Sequence, residues 1–328
     1  MKLVSFKSGN ETRLGAYVNH TVYDLNQISP EIPDNMSDFL KDWENAFPKA
    51  EAALLNLKVD GIPVRDAELM APIPEPHSCR DGYAFRQHVE SARRNRGVPM
   101  IEEFDQFPIF YFTNHSSIQG PGPIFCMPDH FEKLDFELEI AIVINKKGRN
   151  IPAADAHNYI GGYMIMNDMS ARTLQMEEML LSLGPAKGKD FCTVIGPWLV
   201  TPDELSAYEI PAKAGHIGKR HQLEMTCKVN GKLLSRGNVA DMDWTFSEII
   251  ERCAYGTDIF PGDVIGSGTV GTGCLLELNG TAKLYDPSYE ARWLKPGDTV
   301  EMAIEELGVL KNVIIAEQSK FSLLAIKK

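Results

Sequence analysis

The chain has 328 residues, of which 44% are hydrophobic and 24% are charged, a composition that is ordinary for a soluble globular protein. Its formal net charge of −12 argues against nucleic acid or an anionic membrane surface as the main partner, so a site for an anionic substrate would need locally concentrated basic residues. No apolar run approaches a membrane span, no secretory h-region is present and the six cysteines lack metal-binding spacing, so we expect a cytoplasmic protein with reduced thiols.

The first 72 residues are predicted to form a small β-rich domain. The segments KLVSF, RLGAYV and TVYDL have the composition of short strands, and turn-forming residues separate them. A helical pattern follows from about Ser37 to Leu57, and MAPIPEPHSCRD then places three prolines within a few residues. We therefore place a domain boundary near residue 72, with a small domain over residues 1–72 and a larger one over 73–328.

The segment after this boundary, DGYAFRQHVESARRNRG, has helical spacing and ends at Gly97, a common residue at the C-terminal end of a helix. Asp81 and His88 lie seven residues apart, so a helix that included both would place them on one face. A lone histidine is more often structural than catalytic, but this one shares its segment with Asp81, Tyr83 and Arg86.

From Pro108 onward, β-type segments dominate the sequence. Helices are expected mainly at Ala171–Leu183 and Ser247–Ala254, and the predicted strands include LEIAIVI, YIGGYMIMNDMS, TVIGPWLV, CLLELNG and AKLYD. The frequent NG and PGD turns suit antiparallel hairpins better than alternating βαβ units. These patterns predict a mixed, β-rich α+β fold.

The stretch LDFELEIAIVI carries three carboxylates on one face of a predicted strand. Residues two apart in a strand point to the same side, which groups Asp135, Glu137 and Glu139. Asp135, at the start of the strand, is expected to face solvent. The other two lie where the strand is apolar on both faces and hence buried, and two buried carboxylates side by side require a cation. Because hard oxygen ligands favour Mg²⁺, Ca²⁺ or Mn²⁺, we predict half of a divalent-metal site here.

A second acidic segment, GYMIMNDMSARTLQ, runs from an apolar strand into Asp168 and then into a predicted helix. Arg172 and Gln175 follow Asp168 by four and seven residues, so a helix would place all three on one side. Asp168 could simply cap the helix, but capping does not account for the basic and amide side chains on the same face.

The chain resembles the fumarylacetoacetate hydrolase family from about Ala71 to the C-terminus. The resemblance rests on six motifs in the family's order: DGYAFRQH, PIFYFTNHSSIQGPG, DFELEIAIVI, NDMSARTLQ, LGPAKGKDF and GTVGTGCLLEL. It implies the family's β-roll or sandwich with a small N-terminal β-rich domain, a homodimer, and a bound Mg²⁺ or Ca²⁺ ion. Relative to the family, one extra residue separates Asp168 from Lys189, so the loop that carries this lysine is expected to sit differently.

The resemblance also implies roles for individual residues. The positions of the metal ligands are Asp81, Glu137, Glu139 and Asp168. His88 lies at the position of the general base, Glu277 at that of the acid that orients the base, and Lys189 at that of the cation that offsets carbanion charge. The positions of the substrate contacts are Tyr83, Tyr111, Arg172, Gln175 and Thr269.

The implied activity is hydrolysis of the C–C bond of a β-diketo acid, fumarylacetoacetate or an acylpyruvate, in aromatic amino acid catabolism. Water activated by His88 would attack the distal carbonyl carbon, and the C–C bond would break toward a metal-bound enolate. Lys189 and Arg172 would offset the negative charge of this enolate.

Other activities stay open on the sequence alone. Isomerases, decarboxylases and hydratases or dehydratases of 2-oxo acids share the family's scaffold, and a non-catalytic oxo-acid binder would keep the same pocket. GSGTVG at Gly266–Gly271 spells G-x-G-x-x-G, but a dinucleotide-binding fingerprint requires a following helix, and TGCLLELNG is predicted to be a strand. No G-x-S-x-G motif supports a serine hydrolase.

Overall fold

The computed structural model describes residues 1–327. The N-terminal part has five strands, β1 (Lys2–Ser8), β2 (Glu11–Val18), β3 (Thr21–Asp24), β4 (Ile62–Pro63) and β5 (Glu68–Leu69). Its helices are α1 (Leu25–Ile28), α2 (Met36–Lys41) and α3 (Trp43–Leu54). β2 and β3 form a hairpin because Asn19 and His20 both adopt positive φ, the geometry of a two-residue turn that matches strand twist.

The rest of the described chain contributes eighteen strands and five helices. The strands are β6 (Cys79–Gly82), β7 (Phe110–Thr113), β8 (Ile118–Gln119), β9 (Gly122–Cys126), β10 (Leu134–Asp135), β11 (Leu138–Ile144), β12 (Gly148–Arg149), β13 (Ile160–Asp168), β14 (Ser170–Ala171), β15 (Thr193–Val200), β16 (Glu209–Pro211), β17 (Lys219–His221), β18 (Glu224–Val229), β19 (Lys232–Asn238), β20 (Asp258–Ile259), β21 (Val264–Gly266), β22 (Thr299–Ile304) and β23 (Gly308–Ala316). The helices are α4 (Arg86–Asn95), α5 (Ala153–Ala156), α6 (Arg172–Leu180), α7 (Phe246–Ala254) and α8 (Leu275–Tyr285). Within residues 1–327, no helix has the length and apolar character needed to cross a membrane.

Two sheets organise the molecule. The larger has twelve strands in the order β4-β3-β2-β1-β15-β13-β11-β21-β6-β7, with β5 beside β1 and β8 beside β15. Its N-terminal strands continue into the later ones because β1 pairs antiparallel with β15, Leu3 opposite Leu199. The smaller sheet has the order β19-β18-β22-β23-β9. The predicted mixed, β-rich α+β class is confirmed.

The centre of the larger sheet is fully enclosed. Every residue of β11 and of β13 is buried, and the two strands pair antiparallel along their length. Strands covered on both faces carry continuous apolar runs, which explains why LEIAIVI does not alternate with polar residues. On one side, Ala141 and Met164 pack in the same core cluster as Leu3 and Phe39 of the N-terminal part.

The single strand predicted across LDFELEIAIVI is interrupted. Leu134–Asp135 form β10 and pair with β14, whereas Leu138–Ile144 form β11 and pair with β13 and β21. Glu137 lies between the two strands, and its backbone N–H donates to Oδ1 of Asn167 at 3.1 Å. Asp135 and Glu139 are therefore not in one continuous strand, and the alternation of side chains cannot be used to place them on the same face.

CLLELNG and AKLYD form one helix, α8, so the prediction of strands there is wrong. The backbone N–H groups of Leu275 and Leu276, at the start of α8, donate to the carboxylate of Asp135 at 2.7 and 2.9 Å. A carboxylate at a helix N-terminus satisfies unpaired N–H groups and interacts favourably with the helix dipole. This support comes from a residue far away in the chain, so the local pattern could not reveal it.

Candidate active site

Four acidic side chains converge at the centre of the larger sheet. Asp81 lies on β6, Glu139 on β11, Asp168 ends β13, and Glu137 immediately precedes β11. These strands are near neighbours because β11 pairs with both β13 and β21, and β21 pairs with β6. One oxygen from each carboxylate lies within 4.8 Å of those from the others, and all four residues are buried. We call this group the carboxylate cluster.

Two buried cations neutralise part of the carboxylate cluster. The Nζ atom of Lys189 donates to Glu137 Oε2 at 2.5 Å and to Asp168 Oδ2 at 2.6 Å. Arg172 donates from Nη2 to Glu137 Oε1 at 2.7 Å and from Nε to Asp135 Oδ2 at 2.9 Å. Glu137 is thus fixed by both cations.

The loop after β21 encloses the cluster from another side. The backbone N–H of Gly268 donates to Asp81 Oδ1 at 3.0 Å and to Glu139 Oε2 at 3.2 Å. Gly268 has a φ of +81°, and a Cβ atom there would lie 2.6 Å from the carbonyl oxygen of Gly82, so the position requires glycine. GSGTVG therefore binds carboxylates. A helix, α8, does follow it, contrary to prediction, but the next strand, β22, lies in the smaller sheet and not beside β21, so the two strands do not form the parallel βαβ unit of a dinucleotide-binding fold.

Burial and crowding change the pKa values of these acids. Burial, and then the charge of Asp168, raises the pKa of Asp81 to about 7. Burial, and then Asp81, raises the pKa of Glu139 well above its usual value. Burial also opposes the ionisation of Glu137, but Lys189 leads the attractive charges that outweigh it and lower its pKa to about 2. The cluster thus holds more acid than its two cations neutralise.

The carboxylate cluster fits a divalent cation. Oδ1 of Asp168 is buried and has no hydrogen-bond partner among residues 1–327, so it is available as a ligand. All the donors are carboxylate oxygens, which suit Mg²⁺, Ca²⁺ or Mn²⁺ better than zinc. A cation here would also relieve the repulsion that raises the pKa values of Asp81 and Glu139.

His88 on α4 and Glu277 on α8 form a second pair close to the cluster. Nδ1 of His88 lies 2.7 Å from Oε2 of Glu277, and the two side chains are 10% and 3% exposed. Because Nδ1 faces the carboxylate, Nε2 is the nitrogen that is left for chemistry. Tyr83 packs edge-on against His88 with ring centroids 5.8 Å apart. This is the geometry of a base whose tautomer and orientation are set by an acid.

Cys274 lies within 4.8 Å of the ligand atoms of His88 and Glu277, a grouping of the kind that can hold a metal. Burial, and then the charge of Asp135, raises the pKa of its thiol well above the usual value, which disfavours the thiolate that a metal would need. Its sulfur instead accepts the backbone N–H of Glu277 at 3.4 Å. We therefore assign Cys274 a structural role at the N-terminal end of α8.

Both groups face one cavity of about 750 Å³. Its walls contain ten of the twelve predicted site residues: Asp81, Tyr83, His88, Tyr111, Glu137, Arg172, Gln175, Lys189, Thr269 and Glu277. The other two, Glu139 and Asp168, are fully buried members of the carboxylate cluster. The structure therefore brings together all the residues singled out from the sequence, although it does not by itself assign their roles.

The predicted substrate contacts are themselves oriented by neighbouring site residues. The hydroxyl of Tyr111 donates to Asp168 Oδ2 at 2.5 Å. Nη1 of Arg172 donates to the side-chain oxygen of Gln175 at 3.0 Å. The hydroxyl of Thr269 lies 3.4 Å from Glu139 Oε1. These bonds fix polar groups on the cavity wall next to the carboxylates.

Glu178 organises the loop that carries Lys189, although the sequence pattern gave no sign of this role. Its carboxylate accepts three backbone N–H groups, those of residues 186–188, at 2.9, 2.6 and 3.3 Å. The Nζ atom of Lys189 contacts two members of the carboxylate cluster. That this loop sits differently from the family's loop remains a prediction.

Three local predictions about these residues are wrong. Asp81 lies on β6 and α4 begins after it, so Asp81 and His88 do not share a helix face. Asp168 ends β13 and the N-cap of α6 is another residue, so Asp168 neither caps that helix nor extends its face. Asp135 is completely buried instead of facing solvent, because it pairs with Arg172 and supports the start of α8.

Asp135 and Asn167 support the site, although the sequence pattern placed the first in solvent and did not indicate the second. Asp135 holds Arg172, and Asn167 holds the backbone of Glu137. Asn167 is a fully buried amide in the apolar run MIMND, and a lone polar residue in such a run is the signal that could have identified it.

Known proteins are similar to this chain over nearly its whole length. The model of the family described as "Fumarylacetoacetate (FAA) hydrolase C-terminal" matches residues 78–315. The chain is 30% identical over 321 residues to "Oxaloacetate tautomerase Fahd2a, mitochondrial" from Rattus norvegicus, and the match covers 96% of this chain and 92% of that protein.

Solved structures with the same fold include the fumarylacetoacetate hydrolase from Exiguobacterium antarcticum, with a TM-score of 0.70, 24% identity, and coverage of 97% of this chain and 100% of that one. Maleylpyruvate hydrolase from Sphingobium sp. SYK-6, in complex with manganese(II) ion and pyruvate, gives a TM-score of 0.70, 21% identity and the same coverage. At these identities the likeness establishes the fold, and it confirms the predicted architecture.

The expected cytoplasmic location is contradicted by these comparisons. The rat relative and its bovine and human counterparts are all named as mitochondrial proteins. The expectation rested on the lack of an apolar h-region, which is a poor guide here because mitochondrial targeting segments are amphipathic and rich in arginine and serine.

Proposed function

This chain belongs to the fumarylacetoacetate hydrolase family, and we propose that it is a metal-dependent enzyme that catalyses keto–enol tautomerisation of an oxaloacetate-like 2-oxo acid. The observation that carries this proposal is the His88–Glu277 pair, which lies in the same cavity as a buried cluster of four carboxylates. An acid-held histidine beside a site for a 2-oxo acid is the arrangement that proton transfer at the adjacent carbon requires.

The carboxylate cluster would hold the divalent cation through Asp81, Glu137, Glu139 and Asp168. When bound, the cation would polarise the oxo group of the substrate and stabilise negative charge on its oxygen. The candidates are Mg²⁺, Ca²⁺ and Mn²⁺. Mn²⁺ gains support from the manganese in the complex of maleylpyruvate hydrolase.

His88 would move the proton that distinguishes the two tautomers. In the enol-to-keto direction, protonated His88 donates from Nε2 to the carbon next to the oxo group, and the proton lost from the enol oxygen later restores the imidazolium. Glu277 stabilises the charged imidazolium and keeps the ring in one orientation. Lys189 and Arg172 would offset the negative charge that develops on the enolate oxygen.

The similarity to oxaloacetate tautomerases favours tautomerisation over the C–C hydrolysis implied by the sequence motifs. The matched rat relative carries that name, and the match extends over 96% of this chain. Tautomerisation also asks less of the site, because one acid–base group completes it, whereas hydrolysis needs a positioned water molecule and a carbon leaving group as well.

C–C hydrolysis of a β-diketo acid, fumarylacetoacetate or an acylpyruvate, is the second candidate because of the size of the cavity. Its volume of about 750 Å³ is far more than a four-carbon acid fills, and lies in the range of about 300–1,000 Å³ that is typical of sites for drug-sized ligands. In that reaction, His88 would take a proton from water instead of donating one to carbon.

One pair of assays separates these candidates. Loss of the enol's ultraviolet absorbance follows tautomerisation of oxaloacetate, and release of a carboxylic acid follows hydrolysis of acetylpyruvate or fumarylacetoacetate. Each assay is run with Mg²⁺, with chelator, and with His88→Gln, and His157→Gln serves as a control at an exposed histidine. We expect metal-dependent tautomerisation that chelator and His88→Gln abolish and His157→Gln preserves. Acid release without tautomerisation would replace the first candidate by the second, and absence of both reactions would refute the proposal.

The homodimer implied by the family remains part of this proposal. Sedimentation equilibrium at micromolar concentration is expected to give twice the mass of 36.5 kDa, and a mass of one chain would contradict it.

A further inference from the structure

The His88–Glu277 pair is built across two helices. His88 lies in the first turn of α4, Glu277 lies in the first turn of α8, and 189 positions separate them in the chain. The 2.7 Å contact between Nδ1 and Oε2 therefore exists only while the two helices keep one relative position. A hydrogen bond weakens steeply when its geometry is lost, so the packing of α4 against α8 has to be fixed closely.

Asn95, the last residue of α4, bonds α8 at the level of Glu277. Its Nδ2 atom donates to the backbone carbonyl oxygen of Glu277 at 3.1 Å and to the hydroxyl oxygen of Thr281 at 3.3 Å. Asn95 follows His88 by seven residues, which is two helical turns, so both side chains leave α4 on the same face. Glu277 is thus held to α4 twice, once by its carboxylate and once by its backbone.

Gly280 permits the close approach of the two helices at this contact. A Cβ atom at Gly280 would lie 2.5 Å from Nδ2 of Asn95, which is closer than non-bonded atoms can come. Glycine inside a helix is unfavourable relative to alanine. The space that the Asn95 amide occupies accounts for a glycine within α8.

The rest of α4 is anchored independently of Asn95. At the N-terminal end of the helix, the backbone N–H of Arg86 donates to Oδ2 of Asp243 at 2.9 Å. Phe85 and Val89 are buried in the main hydrophobic core. Loss of the Asn95 side chain should therefore leave α4 folded and change only how it sits against α8.

We propose that Asn95 is a positioning residue, whose amide fixes α4 against α8 and so keeps His88 bonded to Glu277. The inference rests on the proposed function, in which His88 moves a proton and Glu277 orients its ring, and it holds for either candidate reaction. Without the amide, Nδ1 and Oε2 separate and the proton of the neutral ring is shared between its two nitrogens. Nε2 is then no longer reserved for the substrate.

Two simpler roles for Asn95 make different predictions. If the amide only stabilised the helix packing, its removal would lower the free energy of unfolding and leave turnover of the folded enzyme unchanged. Asn95 also lines the cavity, and the loss of a direct substrate contact would raise KM and leave the ring of His88 unaffected. Loss of a positioning residue lowers kcat and changes the state of the ring before any substrate binds.

Asn95→Ala and Gly280→Ala break the same contact from opposite helices. The first removes the amide, and the second places a methyl group where the amide lies. Alanine favours a helix more than either original residue does, so a loss of activity would not come from a destabilised helix. Asn158→Ala is the matched control, because Nδ2 of Asn158 also donates to a backbone carbonyl oxygen at 3.1 Å, that of Asp155, at an exposed site.

Each protein is measured in two ways, below its thermal denaturation midpoint. Steady-state kinetics of oxaloacetate tautomerisation and of acetylpyruvate and fumarylacetoacetate hydrolysis in Mg²⁺ give kcat and KM. Nitrogen–proton correlation NMR spectra of the imidazole rings, recorded without substrate at alkaline pH, show which ring nitrogen carries the proton. His88→Gln identifies the signal of His88.

We expect both variants to lower kcat about tenfold or more, with KM of Asn95→Ala within about twofold, because a small misplacement of a reacting group is costly. In the wild type the proton of the neutral His88 ring should reside on Nδ1, and in both variants it should be shared with Nε2. Asn158→Ala should match the wild type in both measurements.

An unchanged kcat in both variants would overturn the inference, and so would a His88 signal that is the same in both variants as in the wild type. A raised KM with unchanged kcat in Asn95→Ala would assign this residue to substrate binding instead and would equally overturn it. Absence of wild-type turnover on all three substrates would refute the proposed function. The NMR comparison needs no substrate, so it would still decide whether Asn95 positions the ring of His88.

Discussion

The two ends of the cavity differ in how firmly their side chains are held. At the carboxylate cluster, Glu137 alone bonds two buried cations and the amide of Asn167. Elsewhere on the cavity wall, Lys133 and Lys283 are exposed and form no ion pair with an acid in residues 1–327. A preorganised end supports a demanding electrostatic task, and a loosely held end can differ among relatives without loss of the fold. The carboxylate cluster is therefore the rigid part of the cavity, and the wall that carries the two lysines is the loosely held part.

The largest effect on metal affinity and turnover is expected from a substitution within the carboxylate cluster itself. Asp168→Ala removes the carboxylate with a free buried oxygen and one of the two partners of Lys189. We predict that Mn²⁺ affinity and turnover fall on the order of 100-fold or more, since even indirect contacts to a metal site are worth 10- to 100-fold. Electron paramagnetic resonance titration of Mn²⁺ measures the affinity, and Asp60→Ala, at an exposed site, is the control. Unchanged affinity would contradict the assignment of the cluster.

Asp135→Asn tests the buried contacts that support the carboxylate cluster. The substitution weakens a buried pair with Arg172 and the contacts to the first N–H groups of α8. Breaking a buried ion pair typically costs about 3–5 kcal/mol, so we predict a loss of about 3 kcal/mol in the free energy of unfolding. Urea denaturation checks this value, with Asp60→Asn as the matched control. A loss below about 0.5 kcal/mol would show that Asp135 acts like a surface residue.

A smaller, pH-dependent effect is expected at the segment Pro128–Glu132, which leads into Lys133. Burial, reinforced by Lys187, lowers the pKa of His130 to about 4, and its Nδ1 accepts the N–H of Met127 at 3.2 Å. Between pH 6.5 and 4 the unfolded chain binds a proton that the folded chain does not, so stability falls as the pH falls through this window. Denaturation midpoints at pH 7 and pH 5 should differ more for the wild type than for His130→Gln. Equal differences would contradict the prediction.

The smallest effect is expected at the exposed end of α6 beside the cavity. Leu181 is 83% exposed, so Leu181→Ser should change the free energy of unfolding by less than about 0.5 kcal/mol. Turnover of oxaloacetate should also stay within about twofold, because this residue is not among those that line the cavity. Thermal denaturation and steady-state kinetics check both statements, and a large loss in either would show that this segment packs on a partner.

Candidate site residues could be recognised in the sequence where a polar side chain interrupts the local pattern. Glu137 and Glu139 were recognisable because carboxylates in an otherwise apolar strand have few explanations other than a cation. The motif order identified the family, and all twelve predicted site residues lie at the cavity wall or in the carboxylate cluster. The boundary near residue 72 and the individual roles of these residues remain predictions.

Two of the failures, at Asp135 and at α8, have one physical cause, which is support from distant residues. Asp135 looked like an edge residue, yet it is buried because α8, 140 positions later, places its first N–H groups there. The same contact favours a helix in a segment whose leucines suggested a strand.

The most direct test of the central claim, proton transfer by His88 at the carboxylate cluster, is hydrogen–deuterium exchange at C3 of oxaloacetate, followed by proton NMR in D₂O with Mg²⁺. The wild type should accelerate loss of the C3 proton signal, and both chelator and His88→Gln should return the rate to the uncatalysed value. Exchange in His88→Gln at the wild-type rate would contradict the account, because another group would then be moving the proton.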